Sequence, residues 1–226
     1  MATASPRVPK AVPAGSFPEA PAFLDEAGLS QNGSVLVYYG AHEKEGVAYE
    51  LKSIAWRLLE DVGVAIAAYN APKSLHCLSP NQQMETFLVL EHAKRDPRVR
   101  ALVWTGTGVK AFNSGMALKG DLKVQVPEEV VKAYGARGMA PEVGDLVLQS
   151  QTKAFWDFPK PLIMAVNGLA VGGGANIALA SFGDMVLCSK EARFMYPFAK
   201  LGFTPELGSS MVMPFLIGMA KAKELM

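Results

Sequence analysis

A glycine triplet at residues 172–174 is the part of the sequence with the clearest chemical use. The apolar run 161–166 and an Asn-Gly turn signal precede it, and the helix-favouring stretch 175–180 follows. We therefore expect a buried strand, a glycine loop and the first turn of a helix in succession. The free amides of such a turn, with no Cβ to keep a ligand away, suit a phosphate or a developing oxyanion. Glycines can equally serve tight helix packing, and the triplet alone favours that use.

A second glycine pattern, GTGVKA at residues 106–111, follows the apolar run 101–105 and fits the dinucleotide-binding signature GxGxxA. Residues 112–117 should then begin a helix, but they lack helical periodicity and contain Gly115. The pattern therefore disfavours a dinucleotide site.

Charge and cysteine content exclude several other classes. The 22 basic residues nearly balance the 21 acidic ones, so the composition gives no electrostatic signature of nucleic-acid binding. The uncharged run 161–183 is interrupted by proline, asparagine and glycine, which argues against a membrane span. Cys77 and Cys188 have no paired spacing. We predict neither a disulfide framework nor a metal site, and we expect a reducing compartment.

The elements that must position the glycines indicate an α/β fold. Apolar runs at 63–69, 101–105 and 161–166 read as buried strands, and each is followed by a turn. Ser79-Pro80 predicts a helix start, with Ser79 as N-cap, and 144–158 predicts another helix. This alternation predicts a mostly parallel sheet.

The chain of 226 residues suits one domain. We expect residues 1–33 to be a flexible leader rich in proline and alanine, and residues 34–226 to be the folded domain. The acid-poor start favours an organellar address, although its prolines would interrupt an amphipathic targeting helix. Residues 123–142 are expected to form a mobile, partly helical cover over a site or, equally, a simple connection between two elements.

Three segments together resemble the crotonase superfamily of enoyl-CoA hydratases and isomerases: NGLAVGGG at 167–174, EARFMYPFAKLGFTPELGSS at 191–210, and TGTGVKAFNSGMALKGDL at 105–122. The resemblance covers residues 63–226. It implies the ClpP-like crotonase fold, with repeated ββα units, and a ligand of the acyl-CoA class. Coenzyme A would enter as part of the substrate, with no separate cofactor.

By this resemblance, the backbone amides of Met116 and Gly173 form an oxyanion hole for the thioester oxygen. The family's nucleotide end lies near the Pro-Lys turn, so Lys73 is the expected phosphate contact. The full set of substrate contacts expected from the resemblance is Lys73, Ser74, Leu75, Met116, Leu118, Gly172, Gly173 and Phe198.

The position of acidic residues distinguishes members of the family. Hydratases carry two glutamates, and this sequence has Asn176 and Phe198 at those positions. Water addition needs a base and an acid, and neither an amide nor a phenyl ring exchanges protons near neutral pH. We therefore expect negligible hydratase activity.

Glu206 stands in a TPELGSS segment that resembles the catalytic loop of peroxisomal-type Δ3,Δ2-enoyl-CoA isomerases. One carboxylate can move a proton from C2 to C4 while two amides hold the dienolate. The alternative is that Glu206 caps the following helix together with Ser209. The three histidines, His42, His76 and His92, match no base position and are expected to be structural or exposed.

The resemblance thus predicts an enoyl-CoA isomerase, in a peroxisome or mitochondrion, that assembles as a homotrimer or hexamer. The family normally continues beyond residues 221–226 with helices that close the acyl pocket, and these helices are not found in this sequence. A catalytically inactive, crotonase-like subunit of a larger assembly is therefore the alternative.

Overall fold

The computed structural model of the chain describes residues 33–37, 47–117, 143–179 and 182–226. Several sequence predictions concern residues outside these ranges: the leader apart from Gly33, the cover at 123–142, Leu118 and His42. The described strands are β1 (Ser34–Val37), β2 (Val47–Glu50), β3 (Ile54–Leu59), β4 (Val64–Tyr69), β5 (Ala101–Gly106), β6 (Ala111–Asn113), β7 (Leu162–Val166), β8 (Leu169–Val171), β9 (Met185–Cys188) and β10 (Arg193–Met195).

The described helices are α1 (Pro80–Arg95), α2 (Val143–Trp156), α3 (Gly173–Leu179), α4 (Phe198–Leu201), α5 (Ser209–Ile217) and α6 (Met219–Leu225), and a 3₁₀ turn spans Pro72–Ser74. Ser79 caps α1 as predicted, because its hydroxyl accepts a hydrogen bond from the Gln82 amide at 3.2 Å. Among the described residues, no helix combines the length and the apolar character needed to cross a bilayer.

The predicted α/β class with a mostly parallel sheet is confirmed. The larger sheet has the order β3-β4-β5-β7-β9, and only the β3–β4 pair is antiparallel. A second sheet, β10-β8-β6, is parallel throughout, and β1 and β2 form a separate antiparallel pair.

The core is built on the central strands of the larger sheet. Tyr69 of β4 and Trp104 of β5 are fully buried and meet edge to face, with ring centroids 5.4 Å apart. Phe112 and Phe155 extend this aromatic cluster from β6 and α2. This aromatic packing holds the strands together, and the loops at their carboxyl ends extend from it.

Two local features differ from what the sequence predicts. Apolar residues in the segment 49–60 have helical or mixed spacing, yet this segment contains the end of β2 and all of β3. The crotonase resemblance implies an irregular loop after the strand at 101–105, and this loop contains β6, which pairs with β8. A strand of only three residues shows too little alternation to be recognised without its partner.

Candidate active site

The loop after β6 brings Gly115 and Met116 to the glycine triplet. Leu78 donates its amide to the Gly115 carbonyl at 2.8 Å and accepts the Ala117 amide at 3.3 Å. Met116 therefore forms a parallel bridge with Leu78 and turns its own amide away from it. Gly115 has φ +84°, and a Cβ on it would lie 2.5 Å from the Val171 carbonyl oxygen, so only glycine fits here.

The triplet begins α3, as predicted, and one of its members is required by close packing. A Cβ on Gly174 would lie 2.2 Å from the Asn113 carbonyl oxygen, which is an impossible contact. The Asn113 side chain also accepts the Gly115 amide at 2.8 Å. Asn113 therefore links the two glycine segments, a role that sequence reasoning missed because a single asparagine carries no periodic signal.

The two predicted amides lie on adjacent segments. A Cβ built on Gly115 would be 3.5 Å from the Gly173 nitrogen. Within the described part of the chain, neither the Met116 amide nor the Gly173 amide has a backbone or side-chain acceptor. Unpaired donors at a helix start and on a neighbouring loop are what an oxyanion hole requires.

The Glu206 carboxylate lies beside Gly173. A Cβ built on Gly173 would lie 3.1 Å from Glu206 Oε1 and 3.1 Å from Leu78 Cδ1. The Glu206 side chain is half-buried and makes no hydrogen bond or ion pair with any described residue. Burial raises the pKa of Glu206 above its ordinary value. A carboxylate with these properties can accept a proton from a group bound at the amides.

The alternative role of Glu206, capping α5, does not match the geometry. The N-cap of α5 is Gly208, and no side chain caps this helix. It is the Glu206 backbone carbonyl that accepts hydrogen bonds from Ser209, through the amide at 3.1 Å and the hydroxyl at 2.8 Å. The side chain is therefore free for another use.

The two positions that carry acids in hydratases hold buried side chains. Asn176, in α3, is fully buried, and its Nδ2 donates to the Glu206 carbonyl oxygen at 3.0 Å. Phe198 is 6% exposed, and its Cζ would be 3.9 Å from a Cβ on Gly172. Phe198 thus packs against the start of the glycine turn, and the Gly172 amide donates to the Met195 carbonyl at 2.8 Å.

The expected nucleotide contacts lie on one exposed turn. Lys73, Ser74 and Leu75 are all exposed and belong to, or directly follow, the 3₁₀ turn. The Ser114 amide donates to the Leu75 carbonyl at 3.0 Å, and the Ser114 hydroxyl donates to the Ser74 carbonyl at 3.2 Å. The turn is therefore joined directly to the Met116 loop.

His76 is the residue that fixes this turn. It is 1% exposed; its Nδ1 accepts the Ala71 amide at 2.9 Å, and its Nε2 lies 3.0 Å from the Thr107 carbonyl oxygen. An accepting Nδ1 places the ring proton on Nε2, which then donates to Thr107. The sequence predicts that His76 is structural or exposed, and these contacts show that it is structural.

Among the described residues, no three His, Cys, Asp or Glu side chains converge in a way that could hold a metal ion.

Comparison with known proteins identifies the family of the chain. The family model "Enoyl-CoA hydratase/isomerase" matches residues 60–226. The chain belongs to this family. It is 31% identical over 215 residues to enoyl-CoA delta isomerase 2 of Rattus norvegicus, which is 94% of this chain and 51% of the rat protein. It is also 32% identical over 169 residues to a short-chain-enoyl-CoA hydratase of Clostridium acetobutylicum, covering 74% of this chain and 59% of that protein.

The fold is the crotonase fold of this family. A solved structure of an enoyl-CoA hydratase/isomerase from Pseudoalteromonas atlantica aligns with a TM-score of 0.64 at 30% identity, covering 77% of this chain and 62% of that one. The chain spans about half to three-fifths of the length of these curated relatives. Both isomerases and hydratases are thus among the similar proteins, and the family alone does not choose between them.

Proposed function

We propose that this family member is an enoyl-CoA isomerase that moves a double bond from the 3-position to the 2-position of an acyl-CoA. The observation that carries the proposal is the Glu206 carboxylate beside Gly173, together with amide and phenyl side chains at both positions where hydratases carry acids. The similarity to a rat enoyl-CoA delta isomerase supports the same choice.

In the proposed reaction, the thioester oxygen accepts hydrogen bonds from the Met116 and Gly173 amides. Glu206 removes a proton from C2, and the negative charge spreads over the dienolate, where the two amides stabilise it. Losing one such donor typically costs about 3 kcal/mol of transition-state stabilisation. The protonated Glu206 then returns the proton to C4. One carboxylate is sufficient because the proton is moved and no water is added.

The acyl-CoA would extend from these amides to the turn that carries Lys73. Lys73 is exposed and can meet a phosphate, while Ser74 and Leu75 stand beside it for the adenine. The hydrogen bonds from Ser114 to both of these carbonyls would hold the nucleotide contact at a fixed distance from the thioester site.

The test uses 3-hexenoyl-CoA and follows formation of the conjugated 2-enoyl thioester by ultraviolet absorbance. We expect turnover by the wild-type protein and a fall of at least about 10²-fold in Glu206→Gln, with acyl-CoA affinity kept. Glu191→Gln is the matched control, because Glu191 is an exposed glutamate in the turn before β10. Turnover of Glu206→Gln equal to that of the wild type would remove the assignment.

The same samples test the two competing functions. Incubation with 2-hexenoyl-CoA followed by mass spectrometry would detect a hydratase by the addition of one water molecule. Tight acyl-CoA binding with neither reaction would favour the inactive subunit.

A further inference from the structure

The loop that carries Glu206 has an unfavourable backbone conformation. Leu207 has φ +53° and Gly208 has φ +76°, so two successive residues are left-handed, and leucine rarely adopts this conformation. Such a segment keeps its shape only where surrounding contacts determine it. The hydrogen bonds made by the Glu206 backbone are therefore important for the position of its carboxylate.

The Glu206 carbonyl oxygen is the point at which the loop is held. It accepts three hydrogen bonds: the Ser209 amide at 3.1 Å, the Ser209 hydroxyl at 2.8 Å and Asn176 Nδ2 at 3.0 Å. The two bonds from Ser209 are local and would move with the loop. Among the described residues, the bond from Asn176 is the one that ties this carbonyl to another element.

That other element is the helix that begins with Gly173. Asn176 follows Gly173 by three positions in α3, so the two residues share one side of the first helical turn. The same helical turn thus presents the Gly173 amide and binds the backbone of the residue whose carboxylate faces it. The backbone of the base and the oxyanion donor are thus both attached to the first turn of α3.

Folding stability alone does not account for an asparagine here. Asn176 is fully buried, and its Oδ1 has no hydrogen-bond partner in the described structure. A buried carbonyl without a donor is unfavourable, and an apolar side chain of similar size would avoid this. Exchanging the amide oxygen and nitrogen would place an oxygen against the Glu206 carbonyl oxygen, so the donor must point at the loop.

We infer that Asn176 is a positioning residue, which holds the Glu206 loop so that the carboxylate lies over the oxyanion site. The inference rests on the proposed isomerase function. At the position where hydratases carry an acid that exchanges protons, this chain has an amide that fixes the backbone of the base.

The experiment removes the donor in two ways. Asn176→Ala deletes the side chain, and Asn176→Leu deletes the donor while filling its volume, so at least one variant should fold. In both, kcat for 3-hexenoyl-CoA should fall by about tenfold or more, because a small displacement of a reacting group is costly. The dissociation constant for saturated hexanoyl-CoA should stay unchanged.

A second readout does not depend on turnover. The side-chain carboxyl of Glu206 is followed by ¹³C NMR against pH, and its signal is assigned by its absence in Glu206→Gln. In both Asn176 variants the titration midpoint should move towards that of an ordinary glutamate. Without the hydrogen bond from Asn176 the loop can move, and the Glu206 carboxylate then becomes more exposed to solvent. If the wild type has no isomerase turnover but this midpoint still moves, the proposed function fails and the positioning role stands.

The control is Asn167→Ala. Asn167 also donates from its Nδ2 to backbone carbonyls, those of Gly108 at 2.8 Å and Ala111 at 3.1 Å, but it lies in the turn after β7. The Asn167→Ala variant should have a lower free energy of unfolding, while its kcat and its Glu206 titration midpoint should match those of the wild type. Two outcomes would overturn the inference: wild-type kcat in both Asn176 variants, or a loss of kcat with an unmoved Glu206 titration.

Discussion

Glu206 combines two properties that a structural carboxylate rarely has: it is half-buried, and no described residue pairs with it. Burial without a partner destabilises the charged form and so raises the pKa. Folding therefore favours protonated Glu206. The protonated side chain's contribution to the free energy of unfolding is fully present below the ordinary glutamate pKa of about 4.3, and it is lost as pH rises through the raised pKa of Glu206 in the folded protein.

This linkage predicts that Glu206→Gln stabilises the fold while removing turnover. Near neutral pH the variant should have a higher melting temperature than the wild type, and the difference should shrink towards pH 4. Thermal unfolding of both proteins between pH 4 and pH 8 measures this. A melting temperature lowered at every pH would instead indicate that the carboxylate stabilises the fold.

His76 gives a second prediction, with the pH dependence in the opposite direction. The neutral ring makes both hydrogen bonds, and burial lowers the pKa of His76. Its stabilising contribution is present above the ordinary histidine pKa of about 6.5 and is lost as pH falls towards the lowered value. Replacing it leaves the Ala71 amide and the Thr107 carbonyl without partners.

We expect His76→Ala to lower the free energy of unfolding by about 1–3 kcal/mol at pH 8 and to weaken acyl-CoA binding through the Lys73 turn. The stability difference should shrink as pH falls below the ordinary histidine pKa of about 6.5, because the unfolded wild-type chain then binds a proton that the buried ring resists. Urea unfolding of both proteins at pH 8 and pH 5.5 tests this, and any effect of His92 cancels because both proteins contain it. A difference that is the same at both pH values would contradict a lowered pKa of His76 in the folded protein.

At the scale of elements, the site depends on how closely α3 approaches the loop after β6. Gly174→Ala should cost about 1–3 kcal/mol or more, because its Cβ would lie 2.2 Å from a backbone oxygen and overpacking against the main chain cannot relax easily. Gly202→Ala is the contrasting variant: its φ is +72° and nothing lies within 4 Å, so only about 1 kcal/mol of backbone strain is expected. Equal losses in the two variants would argue against the packing role.

Part of this architecture could be predicted from the sequence. Strands β4, β5 and β7, the capped start of α1 and the glycine start of α3 all have local signals: apolar runs, Ser-Pro and consecutive glycines. The short strands β6, β8 and β10 have none, because they exist through pairing with one another. Likewise, the bond from Asn176 to the Glu206 carbonyl joins residues 30 positions apart, and no sequence pattern relates them.

At the scale of the whole molecule, apolar side chains on two elements face outwards. Met211 and Phe215 lie one turn apart on α5 and are 70% and 85% exposed, respectively. On β9, an edge strand of the larger sheet, Met185 and Leu187 share a face and are 55% and 54% exposed, respectively. Apolar edges and helix faces of this kind are usually covered by another protein surface. They are consistent with the homotrimer or hexamer proposed from the sequence.

The last prediction follows from this surface. Phe215→Ser removes the most exposed of these side chains, and it should weaken self-association by about 2 kcal/mol per subunit if α5 is covered in the assembly. Its effect on monomer stability should be small, because Phe215 contributes little to the core. Val109→Ser is the control, since Val109 is 58% exposed in the turn between β5 and β6. Sedimentation velocity over a range of concentrations should show Phe215→Ser dissociating at concentrations where the wild type and Val109→Ser remain assembled. A wild type that is monomeric at tens of micromolar, or a Phe215→Ser variant that associates as tightly as the wild type, would show that this helix face is not a subunit contact.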